Sequence, residues 1–144
     1  MKSNSITDER AISNLMVSYA YANDDANIKK LGELFKDASI KIGDIAASGR
    51  EEIEALAGNL IEARSDGRSS TTHEITNIMI EIDEKGISAR GNAYWTLYKT
   101  ISAAPREAIL SGRYEDYFIK QNNEWIFKER NASLLWMLDE SMFK

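Results

Sequence analysis

At 144 residues, with 43% hydrophobic and 28% charged residues, the chain suits one folded domain with a core and a modest pocket, and excludes a disordered segment or two full domains. The absence of cysteine and the presence of a single histidine, His73, exclude disulfides, thiolate nucleophiles and a multi-histidine metal centre within one chain, so neither metal nor cofactor is expected. A net charge of −5 argues against nucleic acid as a partner, and MKSNSITDER lacks the apolar core of a signal peptide in a chain with no run long enough to span a membrane, which leads us to expect a cytoplasmic protein.

Residues 7 to 23 place Ile12, Leu15, Met16, Tyr19 and Ala20 at helical spacing. Thr7 precedes them as a cap, and Asp8 and Glu9 stand where the helix dipole favours anions. Asn27 caps a shorter helix whose apolar stripe is Ile28, Leu31, Leu34 and Phe35. Between the two lies Asp24, either the breaker of the first helix or a cap of the second, and Asp25 is equally placed for both parts. SIKIGDIAAS reads as extended, with a short strand near 38 to 43 at a sheet edge. Ser48 and Glu51 then form a capping box ahead of a third helix carrying Ile53, Leu56, Ala57, Leu60 and Ile61. ARSDGRSS is a loop, after which the periodicity changes to two.

Four extended segments follow near 71–83, 86–101, 107–120 and 124–137, separated by DEKG, SAAPRE and QNNE. Three helices followed by a four-strand meander describe an α+β domain spanning 1–144, with the helices against one face of a mostly antiparallel sheet.

YAYANDDANIKKLGELFKDASI, STTHEITNIMIEID and GRYEDYFIKQNNEWIFKERNA, in this order and spacing, resemble the SnoaL-like group of the nuclear transport factor 2-like superfamily. The resemblance covers essentially the whole chain. It implies a cone-shaped fold in which helices wrap a curved sheet around an apolar cavity. Because the superfamily hosts dehydratases, dehydrohalogenases, isomerases, cyclases, epoxide hydrolases and domains without chemistry, function must be argued from the site.

By the resemblance, Asp24 takes the place of the family's helix-terminal acid and His73 that of its catalytic histidine, a pair that forms a dyad in the scytalone dehydratase and hexachlorocyclohexane dehydrochlorinase branches. A carboxylate on one imidazole nitrogen fixes the tautomer and stabilises the imidazolium formed when the other nitrogen takes a proton. Arg130 matches an arginine at the cavity of the dehydrochlorinase branch, suited to stabilising a departing anion. Tyr19 stands where that branch has lysine and the bile-acid dehydratase branch has tyrosine. Each has a plainer reading: a hydrogen-bonded structural histidine, a salt-bridged arginine, a core tyrosine.

Strand parity puts Tyr114, Asp116 and Phe118 on one face, with Arg113, Glu115, Tyr117 and Ile119 on the other. The resemblance turns the first set inward. Arg130, Ala132, Leu134 and Trp136 share a face of the last strand, Ala93, Trp95 and Leu97 one of the second, and His73, Ile75, Asn77 and Met79 one of the first. These side chains are expected to bind substrate as an apolar wall, unless their bulk fills the space as core. Leu97 and Leu134 stand where the bile-acid branch has an acid and an arginine, and the second histidine of scytalone dehydratase is missing, so neither substrate chemistry carries over. What remains is a cofactor-independent lyase or isomerase acting on a small apolar molecule, or a non-catalytic ligand-binding or dimerisation domain. A homo-oligomer is expected on family grounds, as a dimer or trimer, with Tyr94, Tyr98 and Tyr117 facing outward.

Overall fold

The computed structural model describes residues 6–99 and 105–139; the strand end expected at 100–101 and loop residues 102–104 lie outside them. Helix α1 (Asp8–Asp24) begins where the Thr7 hydroxyl accepts the Arg10 N–H. Its apolar side, Ile12, Met16, Tyr19 and Ala20, is buried, as the i, i+4, i+7, i+8 spacing requires. The helix ends without glycine. Ala26 takes φ +54, and the Asn27 N–H returns to the Ala22 carbonyl, a left-handed stop that leaves Asp24 as the last helical residue. Helix α2 (Ile28–Leu34) starts at Asn27, whose side chain accepts the Lys30 N–H.

Strands β1 (Ser39–Ile42) and β2 (Ile45–Ser48) form a hairpin through Gly43 at φ +58. Helix α3 (Gly49–Leu60) follows Ser48, but the acid that reaches back to the Ser48 N–H is Glu52, not Glu51, and the Ser48 side chain makes no cap bond. Gly49 opens the helix at φ +80, which displaces the expected capping register by one residue. Strands β3 (Thr71–Ile82), β4 (Ser88–Lys99), β5 (Glu107–Gln121) and β6 (Glu124–Met137) make the meander. Asn122 and Asn123, both left-handed, form the β5–β6 turn.

The six strands run β2-β1-β6-β5-β4-β3, antiparallel except for the β1–β6 pair. The early strand thus lies inside the sheet, and β2 and β3 are its edges. The sheet is not closed. Helix α1 crosses its inner face, where Gly91 has no side chain and lets Met16 and Phe118 come close. Ile12, Met16, Leu31, Phe35, Phe118 and Phe127 form the centre of the core.

Bulges change which residues face inward, and they correct two parity expectations. In β3 the pairing slips between Thr76 and Met79, with Asn77 at φ +56. Ile75 therefore packs on the core while Asn77 and Met79 turn to solvent, Met79 being 67% exposed, and Ile80 and Ile82 take over the inner face. In β6 Ser111 pairs with Trp136 but Gly112 with Leu134, so Leu135 is the extra residue. Trp136, expected on the inner face, is 46% exposed, and Met137 packs inward instead.

Asp8 ties the first helical turn to the sheet. Its Oδ1 accepts the Trp125 indole N–H at 2.9 Å and Lys120 Nζ at 3.1 Å. The Trp125 bond first and Lys120 second hold its carboxyl below the ordinary range, against a smaller effect of burial. Stability from a carboxylate so lowered is present above the unfolded value of about 3.9 and is lost as pH falls through the folded-state value. Asp8→Asn is expected to lower the melting temperature at neutral pH and to make progressively less difference on acidification, in melts followed by tryptophan fluorescence. Gly112 lies beneath the Trp95 ring: a Cβ there would overlap the Ser133 carbonyl oxygen and fall 2.6 Å from Trp95 Cζ2. Gly112→Ala is expected to cost about 3 kcal/mol in chemical denaturation, since the closest overlap is with paired strand backbone, which cannot give way as the end of a flexible side chain can.

Candidate active site

Between the inner face of the sheet and the ends of α1 and α3 lies a pocket of about 310 Å³. Asp24, in the last turn of α1, stands behind the wall, next to Asn23, which lines it. The helix end is fixed there by the loop before β3, because the Asp24 carbonyl accepts the Ser69 N–H at 2.9 Å. Strand β3 is a sheet edge, and its His73 N–H points away from β4. The Asp24 carboxylate accepts that N–H at 2.9 Å to Oδ2 and 3.1 Å to Oδ1, which satisfies an edge donor that would otherwise need water.

The same carboxylate lies 2.8 Å from His73 Nδ1. Both side chains are largely enclosed, at 9% exposure for His73 and 15% for Asp24. With an ionised acid on Nδ1, that nitrogen carries the hydrogen and Nε2 carries the lone pair. His73 lines the pocket. Asp25, the other acid at the helix end, instead meets Arg68 at 3.2 Å on the surface, so the structure brings Asp24 and not Asp25 to the histidine.

Tyr19 stands one helical turn before Asn23 and also lines the pocket. Its ring stands nearly perpendicular to His73 at 5.9 Å and to Tyr114 at 6.1 Å between centroids. Burial raises its phenol pKa, while the Arg130 charge and a hydrogen bond with Asn23 act the other way. Tyr114, stacked on Trp95 at 5.7 Å, is pushed well above the ordinary range by burial, against the pull of Arg130. Both phenols therefore keep their protons at neutral pH.

Arg130 is fully buried and lies off the pocket wall. It pairs bidentately with Asp116, directly opposite on β5, through Nε to Oδ1 at 2.9 Å and Nη2 to Oδ2 at 2.8 Å. Burial pushes the Asp116 carboxyl up and the guanidinium opposes it; the fork geometry is that of an ionised pair. The guanidinium also lies 3.6 Å from the Tyr114 ring centroid and 4.9 Å from that of Tyr19. The expectation that Arg130 faces a departing anion is corrected: the salt bridge claims it, and what reaches the pocket is its field through two rings.

Of the residues expected to bind substrate, Trp95, Leu97 and Tyr114 form the wall. Asp116 and Phe118 face inward but lie beneath it, in the core, and Leu134 packs on the core's edge. Trp136 is outside altogether. Five aliphatic wall residues, Ile42, Leu60, Ile61, Ile109 and Leu110, were not assigned to the pocket from sequence. Ile109 and Leu110 both face it because β5 has one extra residue there, Leu97 pairing with Leu110 and Tyr98 with Ala108. Two adjacent large apolar residues within an alternating strand are the signal of such a bulge. At the mouth, Lys99 and Glu62 face each other at 3.9 Å. Among the described residues no cluster of three or more His, Asp or Glu side chains is arranged to hold a metal ion, and no helix is long and apolar enough to cross a membrane.

The sequence profile of the SnoaL-like domain matches residues 4–131. The chain belongs to the SnoaL-like family. No functionally curated protein matches it. Among solved structures, this SnoaL-like chain is similar to an NTF2-like protein with a cystatin-like fold from Novosphingobium aromaticivorans, at 18% identity and TM-score 0.74 over 94% of this chain and 86% of that one. It is similar to LinA at 21% identity and TM-score 0.72, over 89% and 86% of the two chains. ActVI-ORFA from Streptomyces coelicolor aligns at 13% identity and TM-score 0.73, over 87% and 95%. Likeness at these identities speaks for the nuclear transport factor 2-like cone and leaves the chemistry to the site.

Because the chain has one histidine, its imidazole is a single reporter in nitrogen-correlated NMR. The spectrum is expected to show hydrogen on His73 Nδ1; Asp24→Asn should redistribute the tautomers, and Asp25→Asn should leave them unchanged. Asp24→Ala, which also strips the edge N–H of its acceptor, is expected to cost about 2 kcal/mol in stability.

Proposed function

We propose that this SnoaL-like protein is a cofactor-independent lyase or isomerase that acts on a small, mainly apolar molecule. The observation that carries this reading is the 2.8 Å contact between Asp24 Oδ1 and His73 Nδ1 at the wall of an apolar pocket. It leaves the Nε2 lone pair free to serve as a base toward a ligand in that pocket. His73 takes a proton from carbon, and Asp24 stabilises the imidazolium that results. The electron pair released on carbon then expels a leaving group or shifts a double bond. Tyr19, perpendicular to the imidazole at 5.9 Å, confines the ring and offers a neutral hydroxyl. Arg130 contributes through its field, since Asp116 occupies its hydrogen-bonding fork.

The volume limits the ligand to about one or two rings, because about 310 Å³ is at the lower end of the range for small-molecule pockets. Aliphatic and aromatic walls favour an uncharged body. The outer face of the sheet supports a second feature of the reading: Tyr94, Leu135 and Trp136 are exposed there, and we propose that this face joins copies of the chain into a homo-oligomer. That surface is also what a non-catalytic association domain would need. The alternative is decided by turnover.

The test is a panel of small β-hydroxy carbonyl compounds, halogenated cycloalkanes and enolisable ketones, offered to the wild type, His73→Ala and Asp24→Asn. At least one class is expected to turn over, with His73→Ala slower by about 10²- to 10⁴-fold and Asp24→Asn intermediate. Turnover that survives His73→Ala rejects the base assignment. If no compound reacts, but ligands still bind, the association-domain reading takes its place.

A further inference from the structure

We propose that Lys99 anchors the ligand of the pocket by a carboxylate, so that the molecule bound there is a small organic acid whose apolar body lies along the wall and whose charged end stays at the mouth. The anchor rests on the geometry of the mouth alone. That its ligand is also the substrate rests on the reading of His73 as base.

The lining changes character along the β3–β4 ladder. His73 pairs directly with Leu97, and Thr71 directly with Lys99; all four line the pocket. Residues two apart on a strand share a face and stand about 7 Å apart. One step of the ladder therefore carries the imidazole and the next carries the ammonium. Around the first step the wall is Leu97, Trp95, Ile109 and Leu110, whereas Ser70, Thr71, Glu62 and Lys99 gather at the second. An elongated ligand that runs from His73 toward solvent has to pass Lys99.

The charges at this end favour an anion. Lys99 is the cation of the pocket lining. The arginines of the loop before β3 are engaged elsewhere on the surface, Arg64 with Asp66 at 2.9 Å and Arg68 with Asp25 at 3.2 Å. Among the described residues the carboxylate nearest to Lys99 Nζ is that of Glu62, at 3.9 Å, which is too long for a hydrogen bond. The Glu62 side chain is 78% exposed, against 36% for Lys99. So loose and solvated a pair contributes little, and Glu62 is free to swing into water when a ligand carboxylate hydrogen-bonds the ammonium in its place. Lys99 is not free in the same way. Its stem is more than half covered and forms part of the wall, which fixes the charge at the border between apolar lining and water. A cationic ligand end would have to take Glu62 while lying beside this ammonium, so the mouth discriminates by sign as well as by charge.

The probes are 4-phenylbutanoate, 4-phenylbutanamide and 4-phenylbutylamine, which share one apolar body and end in a negative, a neutral and a positive group. Calorimetry on wild type is expected to show the carboxylate bound about tenfold more tightly than the amide, the amine weakest, and the first gap narrowed by added sodium chloride. Lys99→Met, which keeps a stem and removes the charge, should abolish the carboxylate's advantage and leave the amide as it was. Glu62→Gln, which removes the competing anion, should tighten the carboxylate about threefold and not the amide. His73→Ala should preserve the order of the three. Equal affinity of wild type for carboxylate and amide, an advantage that survives Lys99→Met, or a preference for the amine overturns the anchor. Turnover separates it from the base reading. In whichever compound class wild type turns over, the member with a remote carboxylate should have a KM about tenfold lower, and Lys99→Met should remove that difference through KM and not kcat. If the carboxylate binds through Lys99 but nothing turns over, the base reading is overturned and the anchor stands. If turnover requires His73 but is indifferent to the carboxylate and to Lys99→Met, the anchor is overturned and the base reading stands.

Discussion

The carboxylate of Asp24 is the joint on which the site depends. It sits where α1 stops, and it closes the edge of β3 by accepting the His73 amide at the same time as it holds the imidazole. Structure and the proposed chemistry therefore share one residue. Removing the acid would free the ring and also orphan a backbone donor, so a loss of activity at Asp24 mixes two causes. Replacing the imidazole alone leaves the backbone bond in place. The histidine is the cleaner place to separate the proposed catalysis from folding, even though the acid is what positions it.

Around this joint the polar groups fall into two layers with different duties. The first meets the pocket: His73, Tyr19, Tyr114, Asn23, Ser70, Thr71 and, at the mouth, Lys99 and Glu62. The second, Arg130 with Asp116, is sealed beneath it. A buried guanidinium paired with a carboxylate contributes little net stability over apolar packing, but breaking one partner away is costly. Its value here lies in what it faces. Arg130 Nη1 has no hydrogen-bond partner, and the flat face of the cation lies on Tyr114, where its charge opposes the cost that burial imposes on any negative charge developing near the phenol.

Much of this was legible in the sequence because it depends on local rules. The caps at Thr7 and Asn27, the two asparagines of the β5–β6 turn and the change from helical to alternating periodicity at Ser70 all act over a few residues. The Asp24–His73 pairing does not: the two are 49 positions apart, and neither composition nor periodicity connects them. Only the likeness of three segments to a known family put them together. The burial of Arg130 was likewise hidden, since parity says which face a side chain takes and not whether a wall or a floor lies there. Asp116, directly across the β5–β6 ladder, decides it, since the two are inward-facing neighbours of opposite charge.

The failures of parity have one physical source, and it is the source of the pocket. A strand that alternates without interruption stays nearly straight, and a straight sheet under a helix is filled by its own side chains. The extra residues at Asn77, Ile109 and Leu135 bend three strands and shift their alternation. One bulge lets both Ile109 and Leu110 face the ligand space; another turns Trp136 out to solvent and puts the thinner Met137 on the inner face. Had β6 kept strict alternation, an indole would point into the concave side that the pocket occupies. The irregularities that made the inner face hard to read from sequence are the ones that leave it open.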